Sequence, residues 1–246
     1  DTNLGQIPKT EYFFLKSGYD HNKIPELLKE YKIIPVLNSN NEIVDFLSRK
    51  NFYNIPLINT DLTGKESKYV NDCLITGWVS SIGSYVKAFE DSFSEKFKFN
   101  NSLSVSSGTT GLQLALTTLG IGKHDEVIVP NLTFAASINA IINAGATPVL
   151  ADVEVKTACI DVKFIEKLIS KRTKAIMLVH LYGFSCQLDK IYELANKHKL
   201  LVIEDCAEAL GTKFQNMQVG INSDAAVFSF FGNKLITTGE LSLIHI

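Results

Sequence analysis

Apolar and polar positions divide the chain into two segments of different character. Residues 1–54 are polar and interrupted by glycine and proline. Within them the pattern predicts a short helix at 24–32 and two strands at 33–37 and 43–47, joined by a polar turn. From Ile55 onward, continuous apolar runs alternate with amphipathic stretches. This alternation is typical of a largely parallel sheet that is covered by helices on both faces.

The second segment predicts an α/β fold with a mainly parallel sheet. Its first helix places Val86, Phe89, Phe93 and Phe97 on one face, as a helical period requires. Helices are predicted at 86–97, 109–119, 135–144, 162–169 and 188–198. Strands are predicted at 126–130, 147–153, 174–181, 199–205 and 225–230.

Composition and charge narrow the class of protein. The 246 residues include 24 basic and 26 acidic side chains, so the formal net charge is −2. This near-neutral balance gives no electrostatic reason to expect a nucleic-acid partner. The hydrophobic content of 46% is that of an ordinary globular protein with a sizeable core. The longest charge-free stretch, 127–151, contains prolines and asparagines that fit a strand–helix–strand passage better than a membrane span.

Cysteine usage points to a reducing compartment. The four cysteines stand at 73, 159, 186 and 206, and no two of them form a CxxC pair. This spacing suits neither a dense disulfide framework nor a familiar zinc ribbon. We therefore expect reduced thiols, no metal site and a cytoplasmic protein. No basic start followed by an apolar run is present, so a secretory signal is not expected.

Four features fall at the ends of predicted strands, where ligands gather in sheets of this kind. The run SSGTTG at 106–111 leads into a helix, and it either offers backbone N–H groups to a phosphate or only caps that helix. Phe134 provides either a platform for a flat ring or a core side chain. Asp205 ends an apolar strand, and it is either a buried functional acid or the cap of the next helix.

The fourth feature is Lys234 in the run FSFFGNK. A lysine in a dry pocket loses its proton more easily and becomes an amine nucleophile, whereas most single lysines are solvent-facing. The conjunction says more than each feature alone. A phosphate cradle, a ring platform, a buried acid and a lysine, in that order along one α/β sheet, are the four groups that pyridoxal phosphate (PLP) needs.

From Ile55 to Glu240 the chain resembles the DegT/DnrJ/EryC1/StrS family of sugar aminotransferases, which are PLP enzymes of the aspartate-aminotransferase fold. Within the family, EDCAEA, FSFFGNK and TTGE are most similar to the perosamine-synthase branch, which aminates a GDP-linked 4-keto-6-deoxy sugar. The stretches that carry the family resemblance are GWVSSIGSYVKAFE, SSGTTGLQLAL, DEVIVPNLTFAAS, GATPVLADV, VHLYG, VIEDCAEALG and FSFFGNKLITTGE.

The resemblance implies roles for seven residues. Lys234 would be the Schiff-base lysine, and Asp205 would pair with the pyridine nitrogen. Glu208 stands where many relatives have glutamine, near the ring hydroxyl of the cofactor. A related branch that dehydrates its sugar has histidine in the place of Lys234, so the lysine favours transamination. The remaining cofactor contacts would be Phe134 on the ring, and Gly108, Thr109 and Ser229 at the phosphate.

The resemblance also implies the reaction and the partners. We expect transamination of a nucleotide-linked keto-deoxy sugar with glutamate as amino donor, by a cytoplasmic homodimer that serves polysaccharide or O-antigen synthesis. No nucleic acid and no membrane is expected as a partner. Two alternatives stay open. One is a non-catalytic sensory or interaction fragment with a CBS-like segment, and the other is a PLP-dependent sugar dehydratase.

Both ends of the chain depart from the family pattern. Residues 1–54 contain IIPVLNSNNEIVDFLSR, which resembles the last strands of a CBS module, and we interpret them as a partial CBS-like segment and linker. Residues 55–240 would then be an incomplete aminotransferase large domain, without the small C-terminal domain. The last six residues, 241–246, do not resemble the family, and we interpret them as a non-native tail. We expect this chain by itself to be a poor enzyme.

Overall fold

The chain divides into two compact units, Asp1–Asn59 and Thr60–Ile246. The computed structural model describes residues 13–49, 62 and 64–245. Each unit is taken by itself below.

In the described residues 13–49, the first unit contains a three-stranded sheet and the helix α1. Its elements are β1 (Leu15–Lys16), α1 (Ile24–Glu30), β2 (Ile33–Leu37) and β3 (Ile43–Ser48). Strand β2 pairs in parallel with β1 and antiparallel with β3. The predicted helix and both predicted strands are confirmed, with small shifts at their ends. The core of this unit is formed by Ile24, Leu28, Ile34, Val36 and Leu47.

The second unit is built on a seven-stranded sheet. The strands in chain order are β4 (Leu103–Val105), β5 (Glu126–Pro130), β6 (Thr147–Ala151), β7 (Thr173–Val179), β8 (Leu201–Asp205), β11 (Ala225–Ser229) and β12 (Ser242–His245), while β9 (Lys213–Phe214) and β10 (Met217–Gln218) form a separate hairpin. The order across the sheet is β4-β12-β11-β8-β7-β5-β6. All pairs from β11 to β6 are parallel, and β12 is antiparallel to both of its neighbours. The predicted mainly parallel sheet is confirmed.

Helices cover both faces of this sheet. They are α3 (Ser84–Phe97), α4 (Gly108–Thr118), α5 (Ala135–Asn143), α6 (Val162–Leu168) and α7 (Leu188–His198), and they are preceded in the chain by α2 (Glu66–Thr76), which has no buried residue. Alternate residues of each strand face opposite cores, because successive side chains of a strand point to opposite sides. Val127 and Val129 pack with α4 and α5, whereas Ile128 packs with α3, α6 and α7. In the described part of the chain, no helix combines the length and the apolar character needed to cross a membrane.

Helix α2 is the largest element that the sequence pattern does not predict. None of its residues is buried, and its apolar residues Val70, Leu74 and Ile75 are exposed. Its ends nevertheless carry ordinary signals. Glu66 lies in the first turn, and Gly77 closes the helix in the left-handed region with φ 75°.

The stretch that we interpret as a tail contributes a strand to the sheet. Residues 242–245 form β12 between β4 and β11, and all four are buried. Strand pairing uses backbone groups, which any sequence without proline provides, and Leu243 and Ile244 fill the two cores. Backbone pairing and apolar side chains at alternating positions are therefore sufficient to place this stretch in the sheet.

Candidate active site

All seven residues that the sequence singles out line one cavity. The cavity measures about 380 Å³ and lies where β7, β8 and β11 end. Parallel strands bring their carboxyl ends to the same edge of a sheet, which is why residues far apart in sequence meet here. The seven are Gly108, Thr109, Phe134, Asp205, Glu208, Ser229 and Lys234.

The N-terminus of α4 presents free backbone donors to this cavity. Ser107 and Thr110 form a capping box: Ser107 Oγ accepts the Thr110 N–H at 3.2 Å, and Thr110 Oγ1 accepts the Ser107 N–H at 3.1 Å. The N–H groups of Gly108 and Thr109, the first two residues of the helix, have no acceptor within the helix. Capping and anion binding therefore coexist at this turn, since the cap leaves these two donors available.

The start of α4 lies close to β11, and the closest approach is at a glycine. A Cβ atom placed on Gly108 would lie 3.8 Å from the Cβ of Ser229, so the helix start and the strand end share one wall of the cavity. One turn later, a Cβ atom on Gly111 would lie 2.9 Å from Val227 Cγ1 and 3.2 Å from Val105 Cγ2. Close approach, rather than an unusual backbone angle, requires glycine at position 111.

Asp205 is a buried carboxylate with two defined donors. It ends β8 and is only 5% exposed. Its Oδ2 accepts the hydroxyl of Ser137 at 2.7 Å, and its Oδ1 accepts the N–H of Ala207 at 3.1 Å. Burial raises the pKa of Asp205, and the hydrogen bonds from Ser137 and Ala207 and the charge of Lys234 oppose that rise. The geometry suits an acid that must stay ionised inside the protein.

Lys234 and Glu208 face each other across the cavity. Lys234 Nζ lies 3.5 Å from Glu208 Oε1, and Glu208 Oε2 accepts the N–H of Tyr182 at 2.9 Å. The lysine side chain is only 19% exposed. The alternative of a solvent-facing loop lysine is therefore wrong.

Phe134 lies at the mouth of the cavity with 76% of the residue exposed. It is the N-cap residue of α5, in extended conformation, and its side chain makes no capping bond. The alternative that Phe134 is a core side chain is therefore wrong. An exposed ring beside a cavity can stack on a flat ligand.

A buried polar network lies beneath the cavity. His180 Nδ1 accepts the N–H of Cys186 at 3.1 Å, so His180 Nε2 carries the proton and donates to Glu204 Oε2 at 2.7 Å. The same carboxylate accepts the N–H of Gly220 at 2.7 Å and the hydroxyl of Tyr192. Both ring nitrogens of His180 are thus engaged in hydrogen bonds, which fix the ring against the strand ends.

Among the residues that the structure describes, one cluster of possible metal-ligand atoms is compact enough to hold an ion, and it belongs to this network. That group is His180, Glu204 and Cys206. Both nitrogens of the histidine already take part in hydrogen bonds. Burial raises the pKa of the Cys206 thiol well above its usual value, which opposes the thiolate form that metals bind. We interpret the group as a hydrogen-bonded support of the sheet.

The sequence did not single out Ser137, Tyr182 and Ser107. Ser137 had a signal, because a hydroxyl stands in the first turn of a predicted helix, three residues after Phe134. Ser107 also had one, since serine is a preferred N-cap. Tyr182 had no signal in the sequence, because its contribution is a backbone N–H. Tyr182 adopts φ 53° and donates this N–H to Glu208, 26 residues away.

Known proteins resemble this chain over the second unit. A GDP-perosamine synthase from Escherichia coli O157:H7 is 50% identical over 190 residues, and one from Vibrio cholerae is 46% identical over 190 residues. Each match covers 77% of this chain and 52% of the relative. The chain therefore spans about half the length of the curated relatives it matches.

Solved structures agree with this similarity. The crystal structure of NtdA from Bacillus subtilis with bound cofactor PMP matches 77% of this chain and 42% of its own, with 33% identity and a TM-score of 0.71. The predicted aminotransferase fold is thereby confirmed. The sequence model of the DegT/DnrJ/EryC1/StrS aminotransferase family matches residues 60–244, which is most of the chain and nearly all of its second unit. This chain belongs to the DegT/DnrJ/EryC1/StrS aminotransferase family.

Proposed function

We propose that the protein to which this chain belongs is a PLP-dependent aminotransferase that acts on a nucleotide-linked keto-deoxy sugar. One observation carries the proposal: helix-end donors, an exposed ring, a buried carboxylate and a lysine line a single cavity. Membership of the aminotransferase family supports the reaction class. The chemistry of each lining group supports PLP as the cofactor.

The donor set of the cavity fits PLP. A phosphate suits the free N–H groups of Gly108 and Thr109 together with the hydroxyl of Ser229, because all three donate and none carries a negative charge. A flat ring suits the exposed face of Phe134. A pyridine nitrogen that carries a proton suits the carboxylate of Asp205, which has no cationic hydrogen-bond partner of its own.

Asp205, Lys234 and Glu208 would each have a separate role in transamination. When bound, PLP supplies an electron sink for the carbanion that forms at the amino-bearing carbon. Asp205 would hold a proton at the ring nitrogen, which keeps that sink effective. The amine of Lys234 would tether the cofactor and then move a proton on and off the substrate carbon, as base and as acid. Glu208 would orient the lysine, since its carboxylate lies 3.5 Å from Lys234 Nζ.

The substrate and the donor are the finer parts of the proposal. The relatives from Escherichia coli and Vibrio cholerae are named for a GDP-linked amino sugar, which favours a GDP-linked keto sugar as the acceptor here. We propose glutamate as the amino donor. Lys234 in the cavity favours transamination over sugar dehydration, because the related dehydrating branch has histidine at this position.

We propose that the protein assembles as a homodimer. Apolar side chains on α2 and just after it are exposed, which is unfavourable in water unless another surface covers them. They are Val70, Leu74, Ile75, Trp78 and Val79. The molar mass in solution, measured by light scattering over a range of concentrations, tests this part of the proposal.

Cofactor trapping tests the central claim. The purified chain is incubated with PLP, treated with borohydride, digested and analysed by mass spectrometry. We expect a reduced adduct on the peptide that contains Lys234 and a loss of the absorbance band of bound PLP. Binding of an adenine nucleotide without any PLP would favour the sensory fragment instead.

Product analysis tests the reaction class. A protein that carries this chain within the full length of its relatives is supplied with a GDP-linked 4-keto-6-deoxy sugar and glutamate. An amino sugar and 2-oxoglutarate are the expected products. A deoxy sugar without nitrogen would identify a dehydratase and overturn the proposal.

A further inference from the structure

A chain of two hydroxyl groups leads to the carboxylate of Asp205. Thr133 Oγ1 lies 2.8 Å from Ser137 Oγ, and Ser137 Oγ lies 2.7 Å from Asp205 Oδ2. An ionised carboxylate only accepts hydrogen bonds, so the Ser137 hydroxyl donates to it. The lone pairs of Ser137 are then left to accept the proton of Thr133. The hydrogen bonds then run from Thr133 through Ser137 to Asp205, and the Thr133 hydroxyl also lies 3.3 Å from the carbonyl oxygen of Phe134, a second acceptor for its proton.

The start of α5 adds to this arrangement. Ser137 is the third residue of the helix and is fully buried, so its hydroxyl is shielded from water. The first turn of a helix carries a partial positive charge, which favours an anion close to it. The same turn carries Phe134 three residues earlier. One short segment thus places the ring at the cavity mouth and a hydrogen-bond donor at the buried acid.

We propose that Ser137 is the positioning residue that orients the carboxylate of Asp205 and keeps it ionised for the ring nitrogen of the cofactor. The assignment rests on the proposed function, because it gives the ionised carboxylate a purpose. With Oδ2 bound to Ser137 and Oδ1 bound to Ala207, the carboxylate plane is fixed at both oxygens. Each oxygen keeps a further lone pair for a ligand in the cavity.

Other groups around Asp205 act on its charge without fixing its direction. Lys234 lowers the pKa of Asp205 through its charge and His180 lowers it to a smaller extent, and each contributes less than the hydrogen bond from Ser137. The thiol of Cys206 adjoins Asp205 and is held neutral by burial. Ser137 is therefore the side chain whose removal changes both the direction and the ionisation of the acid.

Three variants and a control test the assignment. Ser137→Ala removes the donor, Ser137→Thr restores a hydroxyl at the same atom, and Thr133→Val removes only the outer hydroxyl. Ser223→Ala is the control, because Ser223 also donates one hydrogen bond, to Gly220 O at 3.1 Å, and does not line the cavity. Thermal unfolding of each purified chain is compared first, so that folding is known.

The first readout needs no cofactor. The carboxyl carbon of Asp205 is followed by ¹³C NMR across pH in the chain without PLP, with Asp205→Asn used for assignment. We expect Ser137→Ala to move the midpoint to higher pH and Thr133→Val to move it less in the same direction. Ser137→Thr and Ser223→Ala should leave it in place. An unchanged midpoint in Ser137→Ala overturns the inference, and Thr133→Val decides it if Ser137→Ala fails to fold.

The second readout separates this inference from the proposed function. The affinity for PLP is measured by absorbance titration for the same set. We expect Ser137→Ala to weaken binding about tenfold or more, since a hydrogen bond to a charged group is lost, and Ser137→Thr to restore it. Wild-type chain that binds no PLP would contradict the proposed function. Equal affinities of the wild type and Ser137→Ala would contradict the inference alone.

Discussion

The amine of Lys234 lies 3.5 Å from one carboxylate oxygen of Glu208, and the other oxygen of Glu208 accepts the N–H of Tyr182 at 2.9 Å. An acid that is anchored by the backbone after β7 thus holds the lysine that follows β11. The lysine and the glutamate are 26 residues apart in sequence, and they meet because β8 and β11 are parallel neighbours. The amine is therefore oriented into the cavity by the fold itself.

Replacement of Lys234 should abolish covalent attachment of PLP. Lys234→Ala removes the only kind of group at this site that can form the link, a primary amine. Lys234→Arg is the matched control for charge, because it keeps a cation near Glu208 and also cannot form the link. Both variants should remain folded by circular dichroism and yield no borohydride-reduced adduct. An adduct of undiminished yield at this site in either variant would show that another group holds the cofactor.

Glu208→Gln should retain PLP binding, whereas Glu208→Leu should weaken it. The amide oxygen of glutamine can still accept the N–H of Tyr182, but leucine leaves that N–H without its acceptor. The ion pair with Lys234 is partly exposed and contributes only about 0–1 kcal/mol, so thermal stability should change little in Glu208→Gln. Titrations of PLP binding and melting curves measure both effects. Equal weakening by both substitutions would assign the role to the charge of Glu208.

Asp205→Asn should slow transamination by about a hundredfold or more, in a protein that carries this chain within the full length of its relatives. The amide cannot hold a proton on the ring nitrogen as an anion does, so the electron sink weakens. Single-turnover kinetics with glutamate measure the chemical step, and the affinity for PLP is measured separately. Near-normal turnover would show that Asp205 only caps the following turn.

The same substitution should raise thermal stability near neutral pH. Burial raises the pKa of Asp205 above its ordinary value of about 3.8, so ionising this group is less favourable in the folded chain than in the unfolded one. The contribution of protonated Asp205 to the free energy of unfolding is fully present below about pH 3.8, and it is lost as the pH rises through the pKa of the folded state. Asparagine does not ionise, so the Asp205→Asn variant does not lose this stability as the pH rises. Its melting temperature relative to wild type should therefore increase with pH and then level off, and a difference that is constant with pH would contradict the argument.

Gly111→Ala should destabilise the second unit by about 1–3 kcal/mol, because the new methyl group would overlap Val227 and force α4 away from the sheet. Gly122→Ala is the control, since a Cβ atom there would meet nothing closer than 3.5 Å. Denaturant unfolding measures the difference in the free energy of unfolding. Because Gly108 and Thr109 start the same helix, PLP affinity should fall in Gly111→Ala and remain unchanged in Gly122→Ala.

Local pattern was sufficient for most of the fold and singled out Phe134, Asp205 and Lys234, whereas Glu208 was named only through the resemblance to the family. Continuous apolar runs such as 126–130 became buried parallel strands within one or two residues of their predicted ends. Strand ends in a parallel sheet share one edge, so Asp205, Ser229 and Lys234 were expected near one another on the order of elements alone. The pattern analysis did not predict α2, whose apolar residues Val70, Leu74 and Ile75 are all exposed in the structure. The interpretation of 241–246 as a tail did not predict β12, which pairs with β4 and β11 through backbone groups and buries a few apolar side chains.

The residue types and the order of the elements were thus determined by the sequence: a lysine, a buried acid, an aromatic ring and helix-end donors at successive strand ends. Only the tertiary structure decided which atoms meet. Ser137 reaches Asp205 across 68 residues, and Tyr182 reaches Glu208 across 26. Such contacts depend on how α5 and the turn after β7 pack against the sheet, to within a hydrogen-bond length. Hydrophobic periodicity specifies which face of an element is buried, and it carries no information on the distance between two polar atoms from different elements.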